Sequence, residues 1–192
     1  NEGMVSVPDD RLQRITKYIP PQKVIPAALK LVDIAGIVKG ASEGQGLGNK
    51  FLSHIREVDA ILQVVRCFED PDVIHVAGKV DPVADMETIE LELMLADIQH
   101  LDNMLPKMER AAKGADKEVK LRVDVMKKCL AHLGGEKPLR TLPLDDAERQ
   151  AVKEFGLLSA KPILYVANVD ETDLDGKGPL VEQVRSAATA AG

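Results

Sequence analysis

Two nearly continuous apolar runs constrain the fold of this chain more than any other feature. They are AILQVVRCF (Ala60–Phe68) and KPILYVANVDE (Lys161–Glu171). Short apolar runs with polar ends are typical of strands in parallel sheets, which are buried on both faces. We therefore predict that both segments are strands of a sheet with helices on each side.

The remaining segments alternate between strand and helix patterns. GMVSV (Gly3–Val7) and ALKLVD (Ala28–Asp33) are predicted strands, and DDRLQRITKYI (Asp9–Ile19) is a predicted helix that Pro20 stops. Further helices are predicted at Lys50–Asp59, Asp145–Phe155 and from Pro179 onward. This order indicates an α/β fold with a mainly parallel sheet, in which ligands bind at the carboxyl ends of the strands.

The middle of the chain has no strand signal and two heptad-like seams. Their apolar residues, spaced alternately by three and four, are Leu91, Met94, Ile98, Leu101, Leu105, Met108 and Ala112, then Val119, Val123, Met126, Leu130 and Leu133. Such seams predict two helices packed as an antiparallel coiled-coil hairpin. Gly114 suits the helix end and Asp116 the next helix cap, whereas Pro106 should kink the first helix.

The hairpin divides the chain into three predicted parts. Residues 1–85 form the first part of an α/β domain, residues 86–135 the inserted helical hairpin, and residues 136–192 the last part of the domain. This division follows from the return of alternating helix and strand patterns after Gly134–Gly135.

Composition excludes several classes of protein. The net charge is −6, so no broad basic field is available to bind DNA, and aromatic residues make up only 3% of the chain. No apolar run reaches the roughly 18 residues of a membrane-spanning helix, so we predict no membrane partner and no specific DNA partner. The two cysteines, Cys67 and Cys129, lie in apolar runs and form no metal-binding cluster with histidine.

The segment LVDIAGIVKGASEGQGLGNKF places an acidic residue and a glycine-rich loop after a strand. Asp33 follows the apolar run, Gly36 comes three residues later, and further glycines follow. A carboxylate at this place can hold Mg²⁺, and the glycine amide can bind a γ-phosphate. The loop can then order with nucleotide and relax on hydrolysis. The alternative is a plain connection between strand and helix with turn glycines.

The last predicted strand ends in NVDE (Asn168–Glu171). An Asn at this position faces the base of a bound nucleotide in P-loop GTPases, whose motif is N-K-x-D. Here Val169 replaces the Lys and Glu171 replaces the Asp, which weakens the case for guanine recognition. The alternative is a polar cap after a strand.

His75 has two readings, a catalytic one and a structural one, and its spacing alone favours the structural one. It lies in PDVIHVAGKVDP, where it can position water beside a phosphate, although a half-buried structural role is the alternative. The phosphate-binding pattern G-x-x-x-x-G-K-[ST] is absent from these residues.

The string DIAGIVKGASEGQGLGNKFLSHIREVDAILQVVRCFEDPDVIHVAGKVDP resembles the YchF family of Obg-related P-loop NTPases, the Obg-like ATPases. NEGMVSVPDDRL, the hairpin turn KGADKE and NVDE also match, so the resemblance spans the whole chain. It implies a G domain with a helical coiled-coil insertion, in a cytoplasmic protein that uses Mg²⁺, prefers ATP to GTP, hydrolyses it slowly and associates with ribosomes. By comparison with the family, the Walker A loop should precede Asn1 and a TGS domain should follow Gly192.

The resemblance also implies roles for individual residues. Asp33 holds Mg²⁺ through water, Gly36 binds the γ-phosphate, and His75 positions the attacking water because apolar Ile37 cannot. Asn168, Val169 and Glu171 form the base site. The switch loop contains Ile37, Gly40, Gly44, Gly46 and Gly48.

A second hypothesis is a non-catalytic module whose hairpin binds the ribosome or a protein. Basic residues gather near the hairpin turn: Lys107, Arg110, Lys113, Lys117, Lys120 and Arg122. They can contact RNA phosphates, or they form a solvated face interleaved with acidic residues.

Overall fold

A computed structural model describes residues 2–34, 47–70, 80–114 and 116–191, with the backbone alone for residues 47–51. It contains two units, Asn1–Gly36 and Ile37–Gly192. The elements are β1 (Glu2–Ser6), α1 (Asp10–Thr16), β2 (Ala28–Val32), α2 (Leu47–Arg56), β3 (Ile61–Arg66), α3 (Pro82–Ala112), α4 (Lys117–Gly134), α5 (Asp146–Phe155), β4 (Ile163–Asn168) and α6 (Pro179–Ala191). This order confirms the predicted alternation of strands and helices.

The first unit is an antiparallel strand pair with one short helix. β1 and β2 pair from Glu2 opposite Val32 to Ser6 opposite Ala28. The mainly parallel sheet predicted from the element order is therefore wrong for this pair. A hydrogen bond joins the two ends of the connection between β1 and β2, since the Val7 amide donates to the Ala27 carbonyl at 2.8 Å. The chain thus returns in the opposite direction instead of crossing over.

The second unit contains a parallel strand pair packed against two helices. β3 and β4 pair from Ile61 opposite Ile163 to Arg66 opposite Asn168. A cluster that we call the sheet core joins β3, the start of α3 and α6; its buried members are Val65, Cys67, Met86, Val181 and Val184. This core fixes the strand pair against the helices.

The prediction that both strands are buried on both faces is wrong for the described residues. Leu62 and Val64 are 48% and 66% exposed, and Leu164 is 63% exposed. Alternate residues of a strand point to opposite faces, so the face toward α3 and α6 is covered and these side chains lie on the other. An apolar run shows that both faces are apolar, not that both are covered.

α3, the turn after it and α4 form the feature that we call the helical hairpin. α3 begins at an Asp81 cap, whose side chain accepts from the Ala84 amide at 3.1 Å. The helix runs without interruption for 31 residues and continues through Pro106. Gly114 has a φ of +83° and Asp116 caps α4, which confirms the predicted turn.

The hairpin core lies between α3, α4 and α5. Its members include the predicted seam residues Met94, Leu101, Met126 and Leu133. Leu91 is a wrong prediction, because its side chain is 46% exposed. α5 covers a further face of α4 with three buried side chains, and the remaining buried members of this core are Val125, Cys129, Leu139, Ala151, Val152, Phe155 and Leu157.

Candidate nucleotide-binding site

The carboxyl ends of β3 and β4 form one edge of the second unit. Arg66 and Asn168, the last residues of the two strands, lie opposite each other in the parallel register. The Cys67 amide then donates to the Asn168 carbonyl at 2.8 Å. Because ligands of parallel α/β sheets bind at this edge, the segments that follow the two strands are the candidate site.

Asp170 takes the capping role in the segment after β4. Its Oδ1 accepts from the Thr172 amide at 2.9 Å and from the Thr172 hydroxyl at 2.6 Å. The hydrogen bond from the Thr172 hydroxyl, above all, lowers the pKa of Asp170. The alternative reading of the motif as a helix cap therefore applies to Asp170 and not to Asn168.

Asn168 and Glu171 remain available for a ligand. Both residues are exposed, and their side chains make no hydrogen bond or ion pair to another residue in the part of the chain that the structure describes. Val169, between them, packs against the sheet core. The side chains of Asn168 and Glu171 thus project from a segment that is fixed in place. Val169 packs it against the sheet core, and Asp170 hydrogen-bonds to the backbone that follows.

Asp173 closes the loop that leads to α6. Its carboxylate accepts from the amides of Lys177 and Gly178 at 2.9 and 2.8 Å. A Cβ at position 178 would collide with this carboxylate, so a larger residue there would displace the Asp173 side chain from its two amide donors. The sequence pattern did not reveal this contact, because a lone Asp and a lone Gly five residues apart are a weak signal.

Arg66 organises the segment after β3 and was missed from the sequence. Its Nε donates to the Phe68 carbonyl at 3.0 Å and its Nη2 to the Asp70 carbonyl at 3.4 Å. The guanidinium lies 4.6 Å from the centre of the Phe68 ring, within the range of a cation–π contact. The available signal was an arginine that ends an otherwise apolar strand.

The predicted Mg²⁺ ligand Asp33 lies in the first unit, directly after β2. Within residues 2–34, 47–70, 80–114 and 116–191, no three His, Cys, Asp or Glu residues are grouped as a metal site. Mg²⁺ is commonly held by one or two carboxylates together with substrate phosphates and water. A single exposed carboxylate at a strand end is suited to that ligand set.

The other predicted site residues belong to the glycine-rich loop or to the segment that contains His75. His75, Gly36, Ile37, Gly40, Gly44 and Gly46 lie outside the described residues. Gly48, predicted to belong to the loop, lies in the first turn of α2, which begins at Leu47. The helix predicted from Lys50 thus starts three residues earlier.

A basic surface lies at the end of the helical hairpin. We call it the tip surface; its exposed residues are Lys107, Arg110, Lys113, Lys117 and Lys120. Glu109 and Glu118 do not neutralise it, because they pair with Lys127 at 2.7 Å and Arg122 at 3.1 Å. Arg122 also binds Glu154 at 2.7 Å, so its charge is neutralised and we do not include it in the tip surface.

Comparison with known proteins supports the fold. The family model described as 50S ribosome-binding GTPase matches residues 10–101. The YchF GTPase structure from Schizosaccharomyces pombe superposes with a TM-score of 0.78 at 35% sequence identity, covering 98% of this chain and 52% of that one. The fold is therefore that of a P-loop GTPase-type domain.

The sequences of characterised relatives narrow the class further. The ribosome-binding ATPase YchF of Bacillus subtilis is 49% identical over 174 residues, 91% of this chain and 48% of that protein. That of Haemophilus influenzae is 45% identical over 192 residues, 100% of this chain and 53% of that protein. The chain belongs to the YchF family, as the glycine-rich string indicated. It spans about half the length of these curated relatives.

No helix among the described residues combines the length and the apolar composition needed to cross a membrane.

Proposed function

We propose that this chain is the nucleotide-binding part of a Mg²⁺-dependent ATPase that prefers ATP to GTP, hydrolyses the γ-phosphate and acts at the ribosome. One observation carries the proposal. At the carboxyl edge of β3 and β4, Asp170 satisfies the loop backbone while Asn168 and Glu171 stay unpaired among the described residues. An amide and a carboxylate together can accept from and donate to the edge of a nucleotide base.

The base preference follows from the chemistry of the motif. In N-K-x-D the Asp accepts from guanine; Glu171 is one methylene longer and Val169 supplies no ammonium group. Adenine offers an amino donor and a ring acceptor, which a carboxylate and an amide can match. Asn168→Ala should weaken ATP binding by roughly two- to tenfold, since one net hydrogen bond to a neutral group is worth about 0.5–1.5 kcal/mol.

Titration with fluorescent ATP and GTP measures this preference on the protein encoded by the complete gene. Gln183→Ala is a matched control, because it removes an exposed amide from α6, outside the segment Asn168–Glu171. Equal ATP affinity in Asn168→Ala and Gln183→Ala would contradict the proposed base site. A preference for GTP in the wild type would contradict ATP as the substrate.

Hydrolysis is assigned to the residues implied by the family. His75 positions the attacking water, since the apolar side chain of Ile37 cannot, while Gly36 donates its amide to the γ-phosphate. The glycines at 40, 44 and 46 allow two arrangements of the switch loop. When bound, Mg²⁺ would neutralise phosphate charge, with Asp33 as its protein ligand.

His75→Ala tests this assignment. The turnover rate should fall by on the order of 10²-fold or more, because a positioned water is lost, while ATP affinity stays nearly constant. His54→Ala is the matched control, since His54 is exposed on α2. A His75→Ala variant that turns over like His54→Ala would remove His75 from the mechanism.

The ribosome is the proposed partner, with the tip surface as the contact to RNA. The relatives are named as ribosome-binding ATPases, and the tip surface carries five exposed cations in a chain of net charge −6. Phosphate contacts of this kind give affinity that falls steeply with salt. The helical hairpin would reach the partner as a coiled coil inserted between residues 1–85 and 136–192.

Two charge-reversed variants with equal net charge test this contact. Lys113→Glu with Lys117→Glu should reduce ribosome retention by on the order of tenfold and lower the salt slope by about two. Lys137→Glu with Lys153→Glu alters two exposed lysines outside the tip surface and should retain binding. Equal retention by both variants would remove the tip surface from the interface.

The competing function is a non-catalytic module that binds through the helical hairpin. The tip surface is the observation that favours it, since binding through those cations needs no hydrolysis. Ribosome retention that is identical with and without ATP, in a protein without ATPase activity, would decide for the module. Either function places the protein in the cytoplasm with ribosomes.

A further inference from the structure

A buried carboxylate joins α3 to the loop that precedes β4. Asp97, on α3, is 0% exposed. Its Oδ1 accepts from the Leu158 amide, and its Oδ2 accepts from the amide and the hydroxyl of Ser159, each at 2.8 Å. The 156–161 loop, which connects α5 to β4, is thus bound to the middle of α3.

The end of α2 is bound to the same loop. Arg56, the last residue of α2, donates from Nη1 to the Gly156 carbonyl at 2.8 Å. In return, Lys161 donates from Nζ to the carbonyls of Arg56 and Val58 at 3.2 and 2.5 Å. α2 and the 156–161 loop therefore move together or break these bonds.

Arg56 is also placed to respond to Asp97. Its Nη1 lies 4.0 Å from Asp97 Oδ1, outside hydrogen-bond distance but close enough for a favourable charge interaction. The carboxylate has three donors but no cation in direct contact among the described residues. Nη1 of Arg56 thus has two acceptors nearby, the Gly156 carbonyl at 2.8 Å and the Asp97 carboxylate at 4.0 Å.

We propose that Arg56 couples α2 to the helical hairpin through Asp97 and the 156–161 loop. This rests on the proposed nucleotide binding, because α2 directly follows the segment assigned to the switch loop. A shift of α2 on nucleotide binding would move Arg56 between its two acceptors. Moving the Arg56 charge would change the electrostatic balance at Asp97 and so affect α3, and it would affect β4 through the 156–161 loop.

Coupling of this kind has a measurable signature. If ATP changes the affinity for the ribosome by some factor, the ribosome must change the affinity for ATP by the same factor. The variant Arg56→Gln keeps a donor and a similar length but removes the charge, and Arg56 lies at the surface edge with a side chain 27% exposed. The Arg56→Gln protein should still bind ATP, but ATP should then change its affinity for the ribosome by a factor closer to one.

Hydrogen exchange of the complete native protein, with and without a hydrolysis-resistant ATP analogue, tests the proposal. In the wild type, the analogue should change exchange by several-fold in peptides from α4 and the end of α3. Arg56→Gln should bind the analogue with nearly the same affinity and lose that change. Lys128→Gln is the matched control, since it breaks the 2.8 Å pair between α4 and Glu148 of α5 but leaves α2 untouched.

The outcomes separate this inference from the proposed function. Failure of the wild type to bind the analogue would overturn the proposed function and this inference with it. Normal binding with no change in the hairpin peptides of the wild type would overturn the coupling alone. A change that persists in Arg56→Gln would also overturn it, whereas loss in Arg56→Gln with retention in Lys128→Gln would establish Arg56 as the link.

Discussion

The substitution Asp97→Asn is the sharpest test of how the second unit is held together. The carboxylate accepts three hydrogen bonds, two at Oδ2 and one at Oδ1. An amide keeps one oxygen, which can continue to accept from Ser159, but its NH₂ group then faces the Leu158 amide. One buried N–H group loses its acceptor and meets another donor.

The expected loss of stability can be worked out from these contacts. An unsatisfied buried donor costs about 1–3 kcal/mol, and removing the buried charge returns part of that cost. We expect Asp97→Asn to lower the free energy of unfolding by about 2 kcal/mol. Asp97→Ala leaves all three donors unsatisfied and should lower it by about 3–5 kcal/mol. Either value is large against the roughly 5–15 kcal/mol that stabilises a typical domain.

Urea unfolding followed by helical circular dichroism gives the free energies. Asp102→Asn is the matched control, because Asp102 lies on the same helix, is exposed, and makes no hydrogen bond to another described residue. This control should stay within about 0.5 kcal/mol of the wild type. If Asp97→Asn unfolds at the same urea concentration as Asp102→Asn with an equal slope, the Asp97 cluster does not hold the loop to α3.

Three further predictions concern single residues of the second unit. Cys129 is fully buried, and burial raises the pKa of its thiol to about 11, so a thiol reagent near neutral pH should label it only after unfolding; rapid labelling of the folded protein would contradict this. The pKa of Glu148 lies below its ordinary 4.5, mainly because Lys128 donates to it, so this pair stabilises the fold above that pH and loses its effect as pH falls through the lowered pKa. The stability difference between wild type and Lys128→Gln should accordingly shrink in acid, and a constant difference would refute the assignment. Gly156→Ala should cost about 1–2 kcal/mol in urea unfolding because its φ is +63°, whereas Gly134→Ala in α4 should cost nothing; equal effects would show that the left-handed cap is unimportant.

Periodicity predicted the elements of this fold but not what covers them. The order of strands and helices and the turn at Gly114 were predictable, because apolar spacing and capping residues act locally. The exposure of Leu62 and Val64 was not predictable, because the residue spacing of a strand does not show which elements pack against it. The exposure of Leu91 has the same cause: a heptad position is buried only where a second helix reaches it.

Polar contacts across long stretches of sequence were the least predictable part. Asp97 looks like an ordinary polar position of a helix, and its partners lie 61 and 62 residues later. Arg66 and Asp170 were also missed, although their contacts are local, because a single Arg or Asp at a strand end does not indicate which backbone group it binds. The motif at Asn168 was recognised because its chemistry is local to one strand end, and its role in base binding stays a prediction.

The unbroken course of α3 has a mechanical consequence. At 31 residues the helix is about 46 Å long; Met86, near its start, packs in the sheet core, and its other end lies beside the basic residues near Gly114. It is therefore a lever with a short arm in the sheet and a long arm outside it. A tilt of about 5° about its sheet-packed end would carry the far end by about 4 Å. A displacement too small to disturb the packing of Met86 could thus make or break contact with a bound partner.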